Sequence, residues 1–380
     1  MSASLPLPIE FVRTREGLAR AAERWRGAPA LAIDTEFVRE RTFFPHLGLI
    51  QVADRTAATL VDPLAAGDLA PFAAVLDDPA TIKVVHSASQ DLEVFFRAFG
   101  RLPSSLFDTQ EAAAIAGLGA GLGYGRLVAL RLGVELEKGE TRTDWLKRPL
   151  SAAQLAYAAA DVAYLLPLYD DLRRELEAQG RFAWALEDSA SLLDVRFDEE
   201  PDEAHRRIKG GGRFDRRQIA ALRALAAWRE REARQRDLPR NMVLKEEMLV
   251  ELARRFPSDP AELRKLPGYL PAQVARDHSA WFAILRAVEA LPGEELPPAP
   301  ERRRPGPQVE ALEEKLREKV KARAAELGLA PETLASRRPL AALARAIESP
   351  EEPKLPRELE GWRREVIGEE LLALARRARR

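Results

Sequence analysis

Two carboxylates lie two residues apart inside an apolar stretch, "LAIDTEFVRERTFFPHLGLIQVA" (31–53). The stretch begins as a buried strand, and residues i and i+2 of a strand point to the same face. Asp34 and Glu36 therefore share one small volume, where two unpaired carboxylates would be very costly. A pair of this kind is more often a solvated strand edge, so by itself it indicates little.

A third carboxylate, Asp91, lies in "KVVHSASQDLEVFF" (83–96). A buried strand is expected to end at His86, and Ser87 or Ser89 can cap the helix that follows. Asp91 then falls in the first helical turn. An acid there also has a purely structural use, because it complements the helix dipole.

A fourth carboxylate shares a helix face with a tyrosine in "YAAADVAYL" (157–165). Tyr157 and Asp161 are four residues apart and therefore lie on the same face. The three alanines between them allow another backbone or a ligand to approach closely. Taken alone, the segment is equally typical of an alanine-rich core helix in which the tyrosine packs.

Together these residues indicate a metal-dependent reaction. Asp34, Glu36, Asp91 and Asp161 are acids within otherwise apolar segments, and four converging carboxylates need cations. Hard divalent ions with oxygen ligands suit them, so we expect two ions, Mg²⁺ or Mn²⁺, at this site. Two such ions activate a water molecule and stabilise the leaving oxygen in phosphodiester hydrolysis. In this interpretation, Tyr157 orients the attacking water.

The elements that must position these residues alternate between strand and helix from residue 1 to about residue 190, which predicts an α/β domain with a mixed sheet. Three segments are predicted to be helices, the last of them over residues 151–180. The first three strands lie close together and are expected to form an antiparallel meander. The segments predicted to be strands are "LAIDTEF", "LGLIQVA", "ATLVD", "IKVVH" and "SLFDT".

Two linkers divide the rest of the chain. Three glycines in "RRIKGGGRFD" (206–215) indicate a hinge, and only helices are predicted after it. The proline-rich "LPGEELPPAPERRRPGP" (291–307) indicates a second linker. The sequence therefore predicts one α/β domain followed by two small helical units.

Composition excludes several classes of protein. The chain has no cysteine, which excludes disulfides and thiolate chemistry. It has no apolar run long enough for a membrane span and no signal-peptide pattern, so a cytoplasmic enzyme is expected. Up to His205 there are 21 Lys and Arg against 32 Asp and Glu, and after it 38 against 28. The acidic part is expected to hold cations and the basic part a polyanion.

The motifs "DTEF", "HSASQD" and "YAAAD" resemble the three exonuclease motifs of the tyrosine-bearing branch of the DEDD superfamily. More narrowly, "DTEFVRERTFFPHLGLIQVA" and "LAAWREREARQRDLPRNMVLKEEML" are similar to bacterial ribonuclease D. The resemblance implies a ribonuclease H-like mixed sheet flanked by helices over 1–195. It also implies two all-α HRDC (helicase and ribonuclease D C-terminal) domains over 210–293 and 308–380.

By the same resemblance, the four acids are metal ligands, Tyr157 orients the water, and the protein is a hydrolase. The implied activity is a 3′–5′ exoribonuclease that releases nucleoside 5′-monophosphates. Its implied partners are tRNA precursors and other small structured RNAs, without an obligate protein partner. Two alternatives stay open: a DNA-directed exonuclease of the same chemistry, and a non-catalytic RNA-binding protein on a nuclease fold.

Further residues are candidates for contact with the substrate. An aromatic ring beside the first acids can stack on a base, a histidine precedes the helix of Asp91, and basic residues crowd the hinge, where a solvated face is the alternative. These candidates are Phe37, His86, Arg206, Arg207, Lys209 and Arg213.

Overall fold

The computed structural model describes residues 5–137, 139–140, 143–198, 200–210, 214–298 and 306–379. The chain forms two compact units. The first contains the described residues of 1–37, 47–195 and 304–380; the second contains those of 38–46 and 196–303. The domain limits expected from the sequence remain a prediction. The boundaries of the compact units differ from these expected limits, because the C-terminal helices cluster with the α/β part of the chain.

A six-stranded mixed sheet forms the centre of the first unit, in the order β1-β4-β3-β2-β5-β6. Strand β1 is parallel to β4, and β4 is antiparallel to β3. Strand β2 is parallel to β5, and β5 is parallel to β6. The strands are β1 (Ile9–Val12), β2 (Ala30–Val38), β3 (His46–Ala53), β4 (Ala58–Val61), β5 (Ile82–Val85) and β6 (Leu106–Asp108).

The sheet contains one strand that the sequence did not reveal. Strand β1 has only four residues and lies at an edge of the sheet, where Ile9 and Phe11 are exposed. The equally short β4 is buried along its whole length, whereas β1 contains no buried residue and no continuous apolar run that would mark it as a strand. The three strands expected to form a meander, β2, β3 and β4, are neighbours in the sheet, with β3 antiparallel to β4.

Helices surround the sheet, and one sequence prediction about them is wrong. The segment 151–180 is two helices that meet at Tyr164, because Pro167 has no N–H to continue the hydrogen-bond ladder. The helices are α1 (Arg15–Trp25), α2 (Pro63–Ala66), α3 (Ala70–Asp77), α4 (Ser89–Phe99), α5 (Thr109–Ile115), α6 (Tyr124–Leu132), α7 (Ala152–Ala163), α8 (Leu165–Ala178) and α9 (Phe182–Ser191).

The second unit is helical, as predicted for the segment after the glycine-rich hinge. Leu225, Leu249 and Trp281 are fully buried in its core. Arg217 donates to the carbonyls of Val288 and Leu291 and so satisfies the end of the last helix. The helices are α10 (Arg216–Arg236), α11 (Arg240–Val243), α12 (Glu246–Arg255), α13 (Pro260–Leu263) and α14 (Pro271–Glu289).

The C-terminal segment is also helical and packs within the first unit. The indole of Trp362 stacks on that of Trp184, with 4.4 Å between ring centroids and 7° between planes. Asp188 accepts hydrogen bonds from Trp362 Nε1 and from Arg363. The helices are α15 (Pro307–Leu327), α16 (Pro331–Leu334), α17 (Arg337–Arg345) and α18 (Glu369–Arg379).

Among the helices that the structure describes, none is both long enough and apolar enough to span a bilayer.

Candidate active site

Strand β2 carries the first two acids of the site. Asp34 and Glu36 are half-buried, and the residue between them, Thr35, is buried. Both acids lie in a strand that starts fully buried, from Ala30 to Ile33, so the apolar run anchors the strand and the acids follow at its accessible end. The strand therefore presents the pair where a ligand can reach it.

Helix α4 positions Asp91, which is buried in the first helical turn as predicted. Neither Ser87 nor Ser89 caps this helix, so that prediction is wrong. Instead the buried carboxylate of Asp108 accepts hydrogen bonds from the backbone N–H of Ser87 at 2.9 Å and of Ala88 at 2.8 Å. Ser87 has a left-handed backbone with φ 59°, which is unfavourable for a residue other than glycine. The two hydrogen bonds to Asp108 therefore stabilise the turn.

Asp91 is also held from the strand that carries the other two acids. The Thr35 hydroxyl donates to Asp91 Oδ1 at 2.5 Å. This bond ties helix α4 to strand β2 between Asp34 and Glu36. The first three acids are thereby assembled by one strand and one helix N-terminus.

Helix α7 supplies the remaining pair. It begins with a reciprocal capping box between Ser151 and Gln154, and Tyr157 donates a hydrogen bond to Asp161 one turn further on. The ring of Tyr157 packs 6.3 Å from that of Trp145, which is buried in the loop before the helix. The predicted juxtaposition of Tyr157 and Asp161 on one helix face is therefore present.

The four acids repel one another electrostatically. Burial and then the charges of Asp91, Asp161 and Glu36 hold the pKa of Asp34 well above its ordinary value. Burial and the charges of Asp161 and Asp91 raise the pKa of Glu36 to about 9. Burial raises the pKa of Asp161 to about 7 and that of Asp91 to about 6, although each accepts a side-chain hydrogen bond. The structure thus brings all four carboxylates within electrostatic reach.

This donor set fits hard divalent cations in its chemistry, because all four donors are carboxylates with raised pKa values and the site has a deficit of positive charge. Within the part of the chain that the structure describes, no three His, Asp or Glu side chains are already arranged to hold a metal ion. Mutual repulsion between the carboxylates is a physical reason for them to stay apart without a cation. Asp91 and Asp161 accept hydrogen bonds from Thr35 and Tyr157 instead.

The other candidates are placed differently. Phe37 is half-buried beside the acids, and His86 is hydrogen-bonded through Nδ1 to Thr109 Oγ1 at 2.9 Å. In the second unit, Arg206 is exposed and pairs with Glu203.

Arg207 lies 3.7 Å from the buried carboxylate of Glu230. Lys209 lines a cavity of about 600 Å³. Arg213 lies outside the described residues. Among the basic candidates that the structure describes, Arg206 and Arg207 are therefore engaged in ion pairs within their own unit.

Three residues close to the acids were missed by sequence reasoning. The Thr35 hydroxyl donates to Asp91, Asp108 accepts from the backbone of the turn before the helix of Asp91, and the half-buried Tyr124 donates to the Ala160 carbonyl at 3.0 Å on the helix that carries Asp161. Thr35 lies inside the "DTEF" motif and could have been suspected from its position. Nothing in the local sequence of the other two indicates the contact, because they come from distant segments.

Two known protein families match different parts of the chain. The 3′–5′ exonuclease family matches residues 9–177, and the HRDC domain family matches residues 218–285. The first helical segment is therefore HRDC-like as predicted, while the same assignment for 308–380 remains a prediction.

Full-length relatives extend the similarity to nearly the whole chain. Ribonuclease D of Pseudomonas paraeruginosa is 42% identical over 365 residues, which cover 96% of each chain. Ribonuclease D of Gluconacetobacter diazotrophicus is 43% identical and covers 98% of this chain and 94% of its own. The crystal structure of Escherichia coli RNase D matches with a TM-score of 0.90 and 37% identity, over 97% of this chain and 99% of that one. The chain therefore belongs to the ribonuclease D family and is a hydrolase, a 3′–5′ exoribonuclease.

Proposed function

We propose that the chain releases nucleoside 5′-monophosphates from RNA 3′ ends with the help of two divalent cations, Mg²⁺ or Mn²⁺, held by Asp34, Glu36, Asp91 and Asp161. The mutual repulsion of these four carboxylates supports the proposal, because it leaves the site short of positive charge. When bound, the cations would activate a water molecule and stabilise the leaving 3′-oxygen.

In this proposal, Tyr157 orients the attacking water through its hydroxyl. Burial and the neighbouring carboxylates raise the pKa of Tyr157, so the hydroxyl keeps its proton in the metal-free site. A protonated hydroxyl acts by hydrogen bonding rather than as a base. The bond to Asp161 and the packing against Trp145 limit the directions in which it can point.

The proposed substrates are tRNA precursors and other small structured RNAs, processed in the cytoplasm without an obligate protein partner. The match to Escherichia coli RNase D supports this choice, since that enzyme is described as an exoribonuclease involved in structured RNA processing. The HRDC match supports a substrate of nucleic acid in general.

Hydrolysis of matched single-stranded RNA and DNA oligonucleotides, with and without chelator, tests the proposal. We expect cleavage of RNA to stop in chelator and to return with Mg²⁺ or Mn²⁺. Replacing any of the four acids by alanine should lower the rate by at least about 10²-fold, since loss of a group that supports a metal typically costs that much. The exposed Asp68→Ala is the matched control.

Full activity in chelator would contradict the metal-dependent mechanism. Faster cleavage of DNA than of RNA would instead favour the DNA-directed alternative. A folded wild-type protein that binds RNA but cleaves neither polymer would favour the non-catalytic alternative.

A further inference from the structure

A basic cavity in the second unit is not used by the proposed mechanism. It has a volume of about 370 Å³, within the range of small-ligand pockets. Residues of the loop between β2 and β3 and of helices α10, α11 and α12 line it. We call it the arginine pocket, and its defining residues are Arg39, Phe43, Arg229, Arg240, Asn241 and Glu246.

Arg229 is a buried cation without a full set of partners. Arg229 is only 5% exposed. One N–H donates to the Leu244 carbonyl at a long 3.3 Å, and the buried Nε has no hydrogen-bond partner. Burying a guanidinium with an unpaired donor is costly, so an acceptor that enters the pocket would be stabilising.

The nearest buried acid is already occupied by other arginines. Glu230 accepts two hydrogen bonds from Arg240, at 2.6 and 2.8 Å, and two from Arg234, at 3.3 and 3.2 Å. Arg240 also lies over the ring of Phe43, 4.6 Å from its centroid, which fixes the guanidinium in place. The carboxylate oxygens of Glu230 are therefore shared by other arginines, and the hydrogen bond of Arg229 goes to the Leu244 carbonyl instead.

The formal charges that line the arginine pocket favour an anion. Because Arg240 is paired with Glu230, Arg39 and Arg229 supply two further positive charges against one negative charge from Glu246, and the amide of Asn241 adds donors. A larger cavity shares Asn241 and Glu246 with it but has the opposite balance. That cavity contains two cations and three carboxylates: Lys209, Lys245, Glu246, Glu247 and Glu251. An anion should therefore bind in the arginine pocket rather than in the larger cavity.

We infer that the arginine pocket binds a backbone phosphate of single-stranded RNA. Guanidinium groups present paired N–H donors that match phosphate oxygens, and such contacts hold a strand without reading its sequence. The inference rests on the proposed function, because an exoribonuclease must hold a polyanion while it works. It assigns that role to Arg39, Arg229 and Asn241 rather than to the basic residues of the hinge.

Fluorescence anisotropy with a labelled 12-nucleotide single-stranded RNA tests the inference on the full chain, in chelator and at several salt concentrations. We expect Arg39→Gln to weaken binding about tenfold, the loss typical of a hydrogen bond to a charged group. It should also make the salt dependence shallower by about 0.7 in the slope of log K against log salt. Arg229→Lys keeps the positive charge but loses the paired N–H donors of the guanidinium, so it should weaken binding at every salt concentration.

Arg231→Gln is the matched control. Arg231 lies in α10, as Arg229 does, but it is exposed and pairs only loosely with Asp202. The inference is overturned if Arg39→Gln and Arg229→Lys bind RNA as Arg231→Gln does. Because Arg229 is buried, circular dichroism must first show that Arg229→Lys is folded, and Arg39→Gln decides the question if it is not.

Three further arms separate the alternatives. A DNA 12-mer should lose affinity by the same factor as RNA, since phosphate is common to both, and a loss confined to one polymer would overturn the assignment to phosphate. Inorganic phosphate that binds as tightly as the 12-mer would make this a free-anion site and overturn the assignment to RNA. Metal-dependent RNA cleavage by the wild type is measured in parallel, so that failure of the proposed function is distinguishable from failure of the pocket.

Discussion

The acids of the site differ in what holds each of them. Asp91 is fixed by Thr35, and Asp161 by Tyr157. Burial and the charges of Asp161 and Asp91 raise the pKa of Glu36 to about 9, and burial and the neighbouring carboxylates hold the pKa of Asp34 well above its ordinary value. Asp34 and Glu36 are therefore the acids whose charges should be most unfavourable in the metal-free protein.

This repulsion predicts a pH dependence of stability without metal. A folded state with a raised carboxyl pKa binds more protons than the unfolded state, so the free energy of unfolding falls as pH rises between the two pKa values. For Glu36 that window runs from about 4, the ordinary glutamate value, to about 9. Glu36→Gln should flatten the decline across this window.

Urea unfolding of metal-free protein at a series of pH values checks this expectation, with the exposed Glu16→Gln as control. Adding Mg²⁺ should stabilise the wild type more at high pH than at low pH. An identical pH slope for Glu36→Gln and wild type would show that the repulsion is absent in solution.

At the scale of elements, the loop before α7 positions the tyrosine of that helix. The loop is fastened by Arg148, which donates to both carboxylate oxygens of Asp62 and to the carbonyls of Gly48 and Trp145. The loop also approaches Tyr157 so closely at Gly139 that a side chain there would meet the ring. The precision of the site therefore depends on a loop as well as on the helix.

Gly139→Ala should disturb the reaction without touching an acid. A Cβ at this position would lie 2.4 Å from Tyr157 Cδ2, so the ring must shift. We expect a rate loss of about 10²-fold, the cost of misplacing a reacting group by about 1 Å. Tyr157→Phe should itself lose about 10²- to 10⁴-fold.

Single-turnover cleavage of short RNA by each single variant and by the double variant measures the coupling. If Gly139 acts through the tyrosine, the double variant should be little slower than Tyr157→Phe. Gly125→Ala is the control, because a Cβ there meets nothing within 4 Å. Fully additive losses would mean that Gly139 acts elsewhere.

At the scale of the whole molecule, the two helical segments have different roles in the structure. Residues 206–303 carry 21 Lys and Arg against 14 Asp and Glu, whereas residues 304–380 carry 17 against 14. Most of the basic excess therefore belongs to the first segment, and the second packs with the α/β part of the chain. A fragment that ends near residue 200 would lose the partners of Trp184 and Asp188.

Trp362→Ala should therefore destabilise the first unit. Trp362 is 4% exposed and stacked on Trp184, and truncation of a buried tryptophan typically costs about 3–5 kcal/mol. Trp362→Phe, which keeps an aromatic ring, should cost less. Urea unfolding followed by circular dichroism measures both, and a loss below about 1 kcal/mol for Trp362→Ala would mean that the C-terminal helices contribute little to this unit.

The sequence by itself was enough to locate the acids and most of the elements that carry them. Apolar runs and helical spacing are local signals, so the strand of Asp34, the helix of Asp91 and the shared face of Tyr157 and Asp161 could be predicted. Glycine- and proline-rich composition predicted the two linkers, and helical spacing predicted the helices that the structure describes after the first linker.

Only the tertiary structure decided which distant segments meet. Trp184 and Trp362 are far apart in sequence. Gly139 and Tyr157 are closer, but one lies in a loop and the other in a helix. No periodicity links the members of either pair. The sharing of Glu230 by several arginines, which leaves Arg229 in need of an acceptor, is likewise a contact between helix faces. Contacts of this kind depend on packing in three dimensions, and packing leaves no regular pattern along the chain.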